Sequence, residues 1–265
     1  MYDVVRSELI RIWHRSFLGG GIGTMAASAA LVSWFVYSSA TDPATAAAGP
    51  PDQAVATVAE IAEPGGFLTA LGTISTLAGV VLLTLWAIAT ARDYSTGMIR
   101  ILVQAQPDRV KLLGGKIVAL ALFTLLATLA TILTVMLVAR PLARLENIDT
   151  EAWRTDFAPH FFSSLFNFSI AGLVWGLIGL AIAVLTRSSE LAIGIGIGYL
   201  LVVENLIGLI APDATVYLPG GTLNALVSGG TSELAWGLAL GLVVIYGILA
   251  ITVSLLVFRA RDISS

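Results

Sequence analysis

The segment Leu113–Ala139 reads LGGKIVALALFTLLATLATILTVMLVA, 27 residues in which Lys116 is the one charge. A hydrocarbon core of about 30 Å takes about 20 apolar residues in a helix, so this run is long enough to cross it. Five more runs of the same kind flank it: Phe17–Ser38, Phe67–Ala91, Ser163–Thr186, Leu191–Ala211 and Leu234–Phe258. All six are rich in Leu, Ala, Val, Gly and Thr, without the short alternation of a membrane β-strand. A helix satisfies its own backbone in lipid. The expected fold is therefore an all-α integral membrane bundle of six transmembrane helices, forming one domain over residues 1–265. Lys116, near the start of its run, is expected to snorkel toward the headgroups.

Composition points the same way. Hydrophobic residues make up 57% of the chain and charged residues 12%, with a mean hydropathy of +0.91. A soluble globule cannot cover that much apolar side chain, which excludes a soluble enzyme and a disordered chain. A net charge of −3 and a pI near 5.3 leave no basic footprint for nucleic acid. Cysteine is absent, so neither disulfides nor thiolate metal sites can form.

Lysine and arginine set the orientation. With both termini inside, the inner segments hold Arg6, Arg11, Arg15, Arg92, Arg100, Arg109, Lys111, Lys116, Arg187, Arg259 and Arg261, and the outer segments only Arg140, Arg144 and Arg154. The expectation is a bacterial cytoplasmic membrane protein with cytoplasmic N- and C-termini. The first run, 22 apolar residues, is long for a signal core and is read as a retained span.

Residues 1–16 precede that span. On a helical wheel Tyr2, Val5, Leu9, Ile12, Trp13 and Ser16 share one face, and Asp3, Ser7, Glu8, Arg11, His14 and Arg15 the other. Such a helix lies flat in the headgroup layer. The outer loop 39–66, with Pro43, Pro50, Pro51 and Pro64, is expected to be irregular, with one short helix near Gln53–Ala62. The outer loop 140–162 carries Trp153 as an interface anchor. Arg187–Glu190 is so short that spans four and five must be antiparallel neighbours. Residues 212–233 are less polar than a free loop, and a re-entrant helix is expected around Tyr217–Leu226.

Catalytic groups are missing. His14 and His160 fall on opposite sides of the membrane, and no metal-ligand spacing or nucleophile motif occurs. Gly115-Lys116 is followed by Ile117, so it does not form a phosphate-binding loop. The chain is not expected to be an enzyme, nor to bind a cofactor or metal itself. Asn167-Phe168-Ser169 lies in a span, and its sequon spacing is read as chance.

Glu204 is the one ionisable residue deep in a span. A carboxylate there demands a partner, water or a proton. Two readings stand: a wall of a wet cavity together with Asn205, or a neutral carboxyl hydrogen-bonded to a neighbouring helix. Thr69, Thr73, Thr76 and Thr84 share a face of span two, and Thr124, Thr128, Thr131 and Thr134 a face of span three. These hydroxyls fit close helix packing. The alternative is a mildly polar pathway, for which Thr73, Thr76, Thr128 and Thr131 are candidates. Gly172, Gly176 and Gly179, then Gly194, Gly196 and Gly198, then Gly237 and Gly241, read as packing or dimer faces.

The informative hydrophilic segment is 92–112, between spans two and three. Gly97 can stop the preceding helix, Met98–Val103 forms a short helix, Pro107 resets the chain, and Asp108-Arg109 starts the next span. Met98, Ile99, Ile101 and Leu102 on an exposed helix call for a partner to cover them.

This segment resembles the permease subunits of type-2 ATP-binding-cassette exporters. The matching residues are Asp93, Gly97, Ile99, Arg100, Leu102, Pro107, Arg109, Leu112, Leu113 and Lys116; Thr96 and Met98 depart from the pattern, and Asp93 stands where Glu is commoner. The six spans, the N-terminal helix and the outer re-entrant segment look like that family too. The resemblance implies that Asp93, Gly97–Leu102, Pro107 and Arg109 form a coupling helix docking onto a separate ATPase. It makes residues 1–16, with Arg11, Trp13 and Arg15, the connecting helix at the same junction.

The partners it implies are two ATPase subunits, which carry ATP and Mg, a second permease chain as homodimer or heterodimer, and the lipid bilayer. The substrate would be a hydrophobic or amphipathic drug, antibiotic peptide or lipid. An ion-driven transporter or channel, or a cytochrome-maturation permease, is the alternative.

Overall fold

In the computed structural model, residues 2–12, 15–43, 56–106 and 108–260 are described; every regular element is helical, and no strand occurs among the described residues. The helices are α1 (Tyr2–Ile12), α2 (Arg15–Ser38), α3 (Val58–Ala62), α4 (Ala70–Ser95), α5 (Met98–Ala105), α6 (Arg109–Leu145) and α7 (Phe157–Thr186). They continue as α8 (Ser189–Gly198), α9 (Glu204–Ile210), α10 (Pro212–Thr215), α11 (Pro219–Val227) and α12 (Trp236–Ala260).

Six stretches are long and apolar enough to cross a membrane: Phe17–Ser38, Gly66–Ser95, Arg109–Leu145, Phe157–Thr186, Ser189–Ile210 and Trp236–Ala260. They coincide with the six runs expected from sequence, and the chain is a multi-pass membrane protein. The helices overrun the apolar runs; α6, at 37 residues, is about 55 Å long, more than a hydrocarbon core of about 30 Å requires. The fifth stretch is not one continuous helix. A π turn over Tyr199–Val203 joins α8 to α9 just before Glu204.

The core is a seam between α4 and α7, built on glycine and tryptophan. Trp86 of α4 lies over Gly176 of α7, where an added Cβ would sit 2.4 Å from the indole. Trp175 of α7 lies in the same way over Gly79 of α4, at 2.5 Å. Gly179 faces the backbone carbonyl of Leu83 at 2.3 Å. Glycine lets the two backbones close together, as small residues do between membrane helices. The Trp86 indole N–H then donates to Thr124 Oγ1 on α6 (2.9 Å), tying three helices at one point.

The threonines of span three belong to this packing. Thr124, Thr128 and Thr131 are fully buried. Thr124 and Thr131 donate to Leu120 O and Ala127 O, and Thr128 meets Ser169 of α7 at 3.0 Å. Of the glycine faces, Gly172, Gly176, Gly179 and Gly196 pack against α4, whereas Gly194, Gly198, Gly237 and Gly241 face open space. Asn167 accepts the Trp236 indole N–H (3.0 Å), so its sequon spacing is incidental to a bond between α7 and α12.

The end of the bundle carrying α1 and the close of α12 is the terminal face; the opposite end is the loop face. At the loop face α3 starts with a capping box, Thr57 and Glu60 bonding each other's backbone N–H. The described helix is shorter than the expected Gln53–Ala62, and Gln53 lies outside the described residues. Trp153 is buried there and donates to Ile61 O (2.8 Å). At the terminal face Arg187, with φ 56°, ends α7, and Ser188 caps α8 by accepting from Leu191 N–H. That tight reversal makes α7 and α8 neighbours, as the four-residue connection requires.

Candidate functional site

Two groups of functional candidates emerge, one at each end of the bundle. The first lies at the terminal face, where α1, α4, α5 and α6 converge. Val4 of α1 rests on Gly115 of α6, where an added Cβ would meet Val4 Cγ1 at 2.5 Å. One turn further along α1, Glu8 comes level with Lys116. Lys116 Nζ is 3.2 Å from Glu8 Oε2 and 2.7 Å from Asp93 Oδ2. Arg11 closes the group, pairing with Glu8 at 2.7 Å and with Asp93.

Two carboxylates and two cations thus neutralise one another in a place where any one alone would be prohibitive. This overturns two expectations. Lys116 does not snorkel: it is 6% exposed and held inside by its partners. Glu8 is not on a solvated face of α1 but fully buried, because α6 offers it a counter-charge. The outward positions of α1 include Ile10, 69% exposed.

The helix α5 hangs beside this cluster. Gly97 takes the left-handed conformation (φ 68°) that ends α4, and Asp108 begins α6 by accepting from Val110 and Lys111 N–H. The Lys111 side chain and those backbone donors hold the Asp108 carboxyl below the usual carboxylate range. The span-loop-span punctuation expected from sequence is therefore present; Pro107 itself lies outside the described residues.

The expected docking set splits. Asp93 is buried in the ion cluster, and Ile99 is buried too. Leu102 and Val103 are half-buried against Leu112, Leu113 and Phe258. Arg109 donates to the carbonyls of Phe258 (2.9 Å) and Arg259 (3.1 Å), where a cation suits the end of α12. None of these five offers a free surface. Arg100 and Ile101, the latter 61% exposed, face outward, with Met98 half-buried beside them. Arg11 sits in the ion cluster, while Trp13 and the Arg15 side chain lie outside the described residues.

The second group surrounds Glu204, which is 7% exposed. Its Oε1 accepts the Gly220 N–H (2.9 Å) in the first turn of α11, and the Tyr199 hydroxyl also bonds it. The carboxyl group therefore serves the electropositive start of α11. Glu204 also lines a cavity of about 420 Å³ together with Thr76, Asn205, Thr215 and Asn224. Glu204 thus bonds a neighbouring helix and also borders a cavity of mixed polar and apolar lining.

Asn205 and Thr76 join it there. Thr73 is exposed and does not line that cavity, and Thr128 and Thr131 are packed away in the core. On the other side of the π turn is an almost wholly apolar cavity of about 350 Å³, walled by Trp175, Ile182, Ile195, Tyr246 and Val253.

Sequence reasoning missed Glu8, Tyr199 and Gly220. The signal for Glu8 was present in the spacing Val4, Glu8, Arg11, one stripe of α1 that matches Gly115-Lys116. Tyr199 and Gly220 had none, because their contact depends on the fold of α11 against the fifth span.

Residues 50–264 match the family described as "Protein of unknown function (DUF2705)". No curated protein matches the chain. The chain belongs to the DUF2705 family.

Proposed function

We propose that this DUF2705 protein is the transmembrane permease subunit of an ATP-binding-cassette exporter, moving a hydrophobic or amphipathic substrate with ATP hydrolysed by a separate ATPase. The observation that carries the reading is α5. It is a short helix fixed by Gly97, Ile99 and Asp108, and it turns Arg100 and Ile101 away from the chain. A helix so well anchored, with a large apolar side chain left outward, suits docking into a groove on a partner.

In this reading the terminal face is cytoplasmic, α1 is an interfacial connecting helix and α11 is the re-entrant segment. The ion cluster of Glu8, Arg11, Asp93 and Lys116 makes α1 and the end of α4 move as one body with α6. Force arriving at α5 would then pass into spans two and three together.

The substrate path would run by the two cavities on either side of the π turn. One is apolar and the other is edged by Glu204, Asn205 and Thr76, which fits an amphipathic molecule. A second permease chain would cover the fifth span. Buried residues make up 17% of its apolar stretch, against 72% for α7, and Gly194 and Gly198 face open space there. Small residues at such a face permit close helix contact.

The test is co-purification of the tagged chain from its native membrane, with mass spectrometry of what remains bound. A stoichiometric cassette ATPase is the expected result. A chain retained alone as an oligomer would contradict it and favour an ion-driven transporter. One observation leans to that alternative: the fifth span is broken by the π turn just before an intramembrane carboxyl group.

A further inference from the structure

We infer that a cavity at the loop face, beside Arg140, binds the phosphate headgroup of a membrane phospholipid in the leaflet away from the chain termini. The inference is independent of the exporter reading. The 23 residues Ile117–Ala139 carry no charge. At 1.5 Å per residue they cover about 35 Å, slightly more than the hydrocarbon core. Arg140 is the next residue, so it stands at the level where lipid phosphates lie.

The surroundings of Arg140 form a shaped site. The cavity is about 310 Å³, lined by Phe67, Met136, Arg140, Trp153 and Phe157. Its aromatic walls come from two stretches of chain far apart in sequence and are held in place. Phe67 and Trp153 are buried, the Trp153 indole is fixed to Ile61 O, and Phe67 stacks on Phe157 with centroids 5.1 Å apart. Arg140 is exposed, and none of the ion pairs among the described residues includes it.

A guanidinium with no carboxylate partner among the described residues, in a cavity with packed aromatic walls, takes an oxyanion joined to an apolar body. Its planar fork suits phosphate oxygens, and the rings and Met136 suit the glycerol and first methylenes of a lipid. Glu60, Glu63, Glu146, Asp149, Glu151 and Asp156 make this end of the molecule acidic. That field disfavours the doubly charged free phosphate more than a singly charged phosphodiester, and the apolar contacts decide for the lipid.

The test is native mass spectrometry of the full chain in mild detergent, titrated with dioleoylphosphatidylglycerol. The first lipid should bind the wild type about tenfold more tightly than it binds Arg140→Gln, the loss expected for one charge-assisted contact. Arg140→Lys should fall between them, since it keeps the charge and loses the fork. Met136→Phe, which fills the cavity and leaves the charge in place, should also lose the tight lipid. Arg154→Gln, a nearby arginine that does not line the cavity, should bind as the wild type does. Equal binding by the wild type and Arg140→Gln would overturn the inference. So would displacement of the lipid by inorganic phosphate alone, which would assign the site to the free ion.

Discussion

Lys116 on the third span stands 3.2 Å from Glu8 on the N-terminal helix, and both are buried. Because Asp93 shares the same ammonium group, removing Lys116 leaves two carboxylates facing each other with only Arg11 between them. Lys116→Met should cost about 3–5 kcal/mol, the usual penalty for stranding a buried charge. Lys116→Met combined with Glu8→Gln should recover much of that. Thermal unfolding in detergent measures both, and a single variant as stable as the wild type would show that the cluster is not neutralised as described.

The glycine seam predicts a sharp contrast between two alanine substitutions. Gly179→Ala drives a methyl into the backbone carbonyl of Leu83, which cannot swing aside. It should lose about 1–3 kcal/mol through overpacking. Gly237→Ala points into open space and should change stability by less than about 0.5 kcal/mol. Equal melting temperatures for the two would refute the packing assigned to α4 and α7.

Glu204 joins structure to the proposed transport path, and two substitutions separate those contributions. Glu204→Gln keeps an oxygen to accept from Gly220 N–H, so the chain should assemble normally and lose export. Glu204→Leu leaves that N–H and the Tyr199 hydroxyl without an acceptor and should destabilise the fold by about 1–3 kcal/mol. Full export by Glu204→Gln would remove the carboxyl group from the path.

The two faces of α5 should answer differently to mutation. Leu102→Ala thins the cluster formed with Leu112, Leu113 and Phe258, and should lower the melting temperature. Arg100→Ala with Ile101→Ala touches no buried contact and should leave the melting temperature alone while weakening ATPase retention. Loss of stability in the second variant would mean that Ile101 is packed in the intact protein.

Much of this architecture is legible in the sequence, for a physical reason. Six runs of 20 or more apolar residues admit few other structures, and Gly97 and Asp108 bracket α5 through left-handed geometry and capping that depend only on local chain. What escapes is set by partners distant in sequence. A helical wheel puts Glu8 outside because it cannot know that Lys116 waits on another helix. The motif that includes Asp93 suggests a docking residue, yet Arg11 and Lys116 draw it inward. The threonines of span three could line a path or bond their own helix, and only the approach of α7, with Ser169 against Thr128, decides. The π turn before Glu204 has no counterpart in the spacing of Gly194, Gly196 and Gly198, and the bond from Gly220 N–H to Glu204 joins residues 16 positions apart.

The exporter proposal stands or falls with Arg100 and Ile101 meeting an ATPase. The chain has no cysteine, so Ile101→Cys creates a single attachment point. A thiol-directed photocrosslinker placed there in native membranes, followed by mass spectrometry of the adduct, reads the neighbour directly. One dominant adduct is expected, with a cassette ATPase, and it should disappear when Arg100 is also replaced by Glu. Adducts with lipid alone, or with a second copy of this chain, would contradict it.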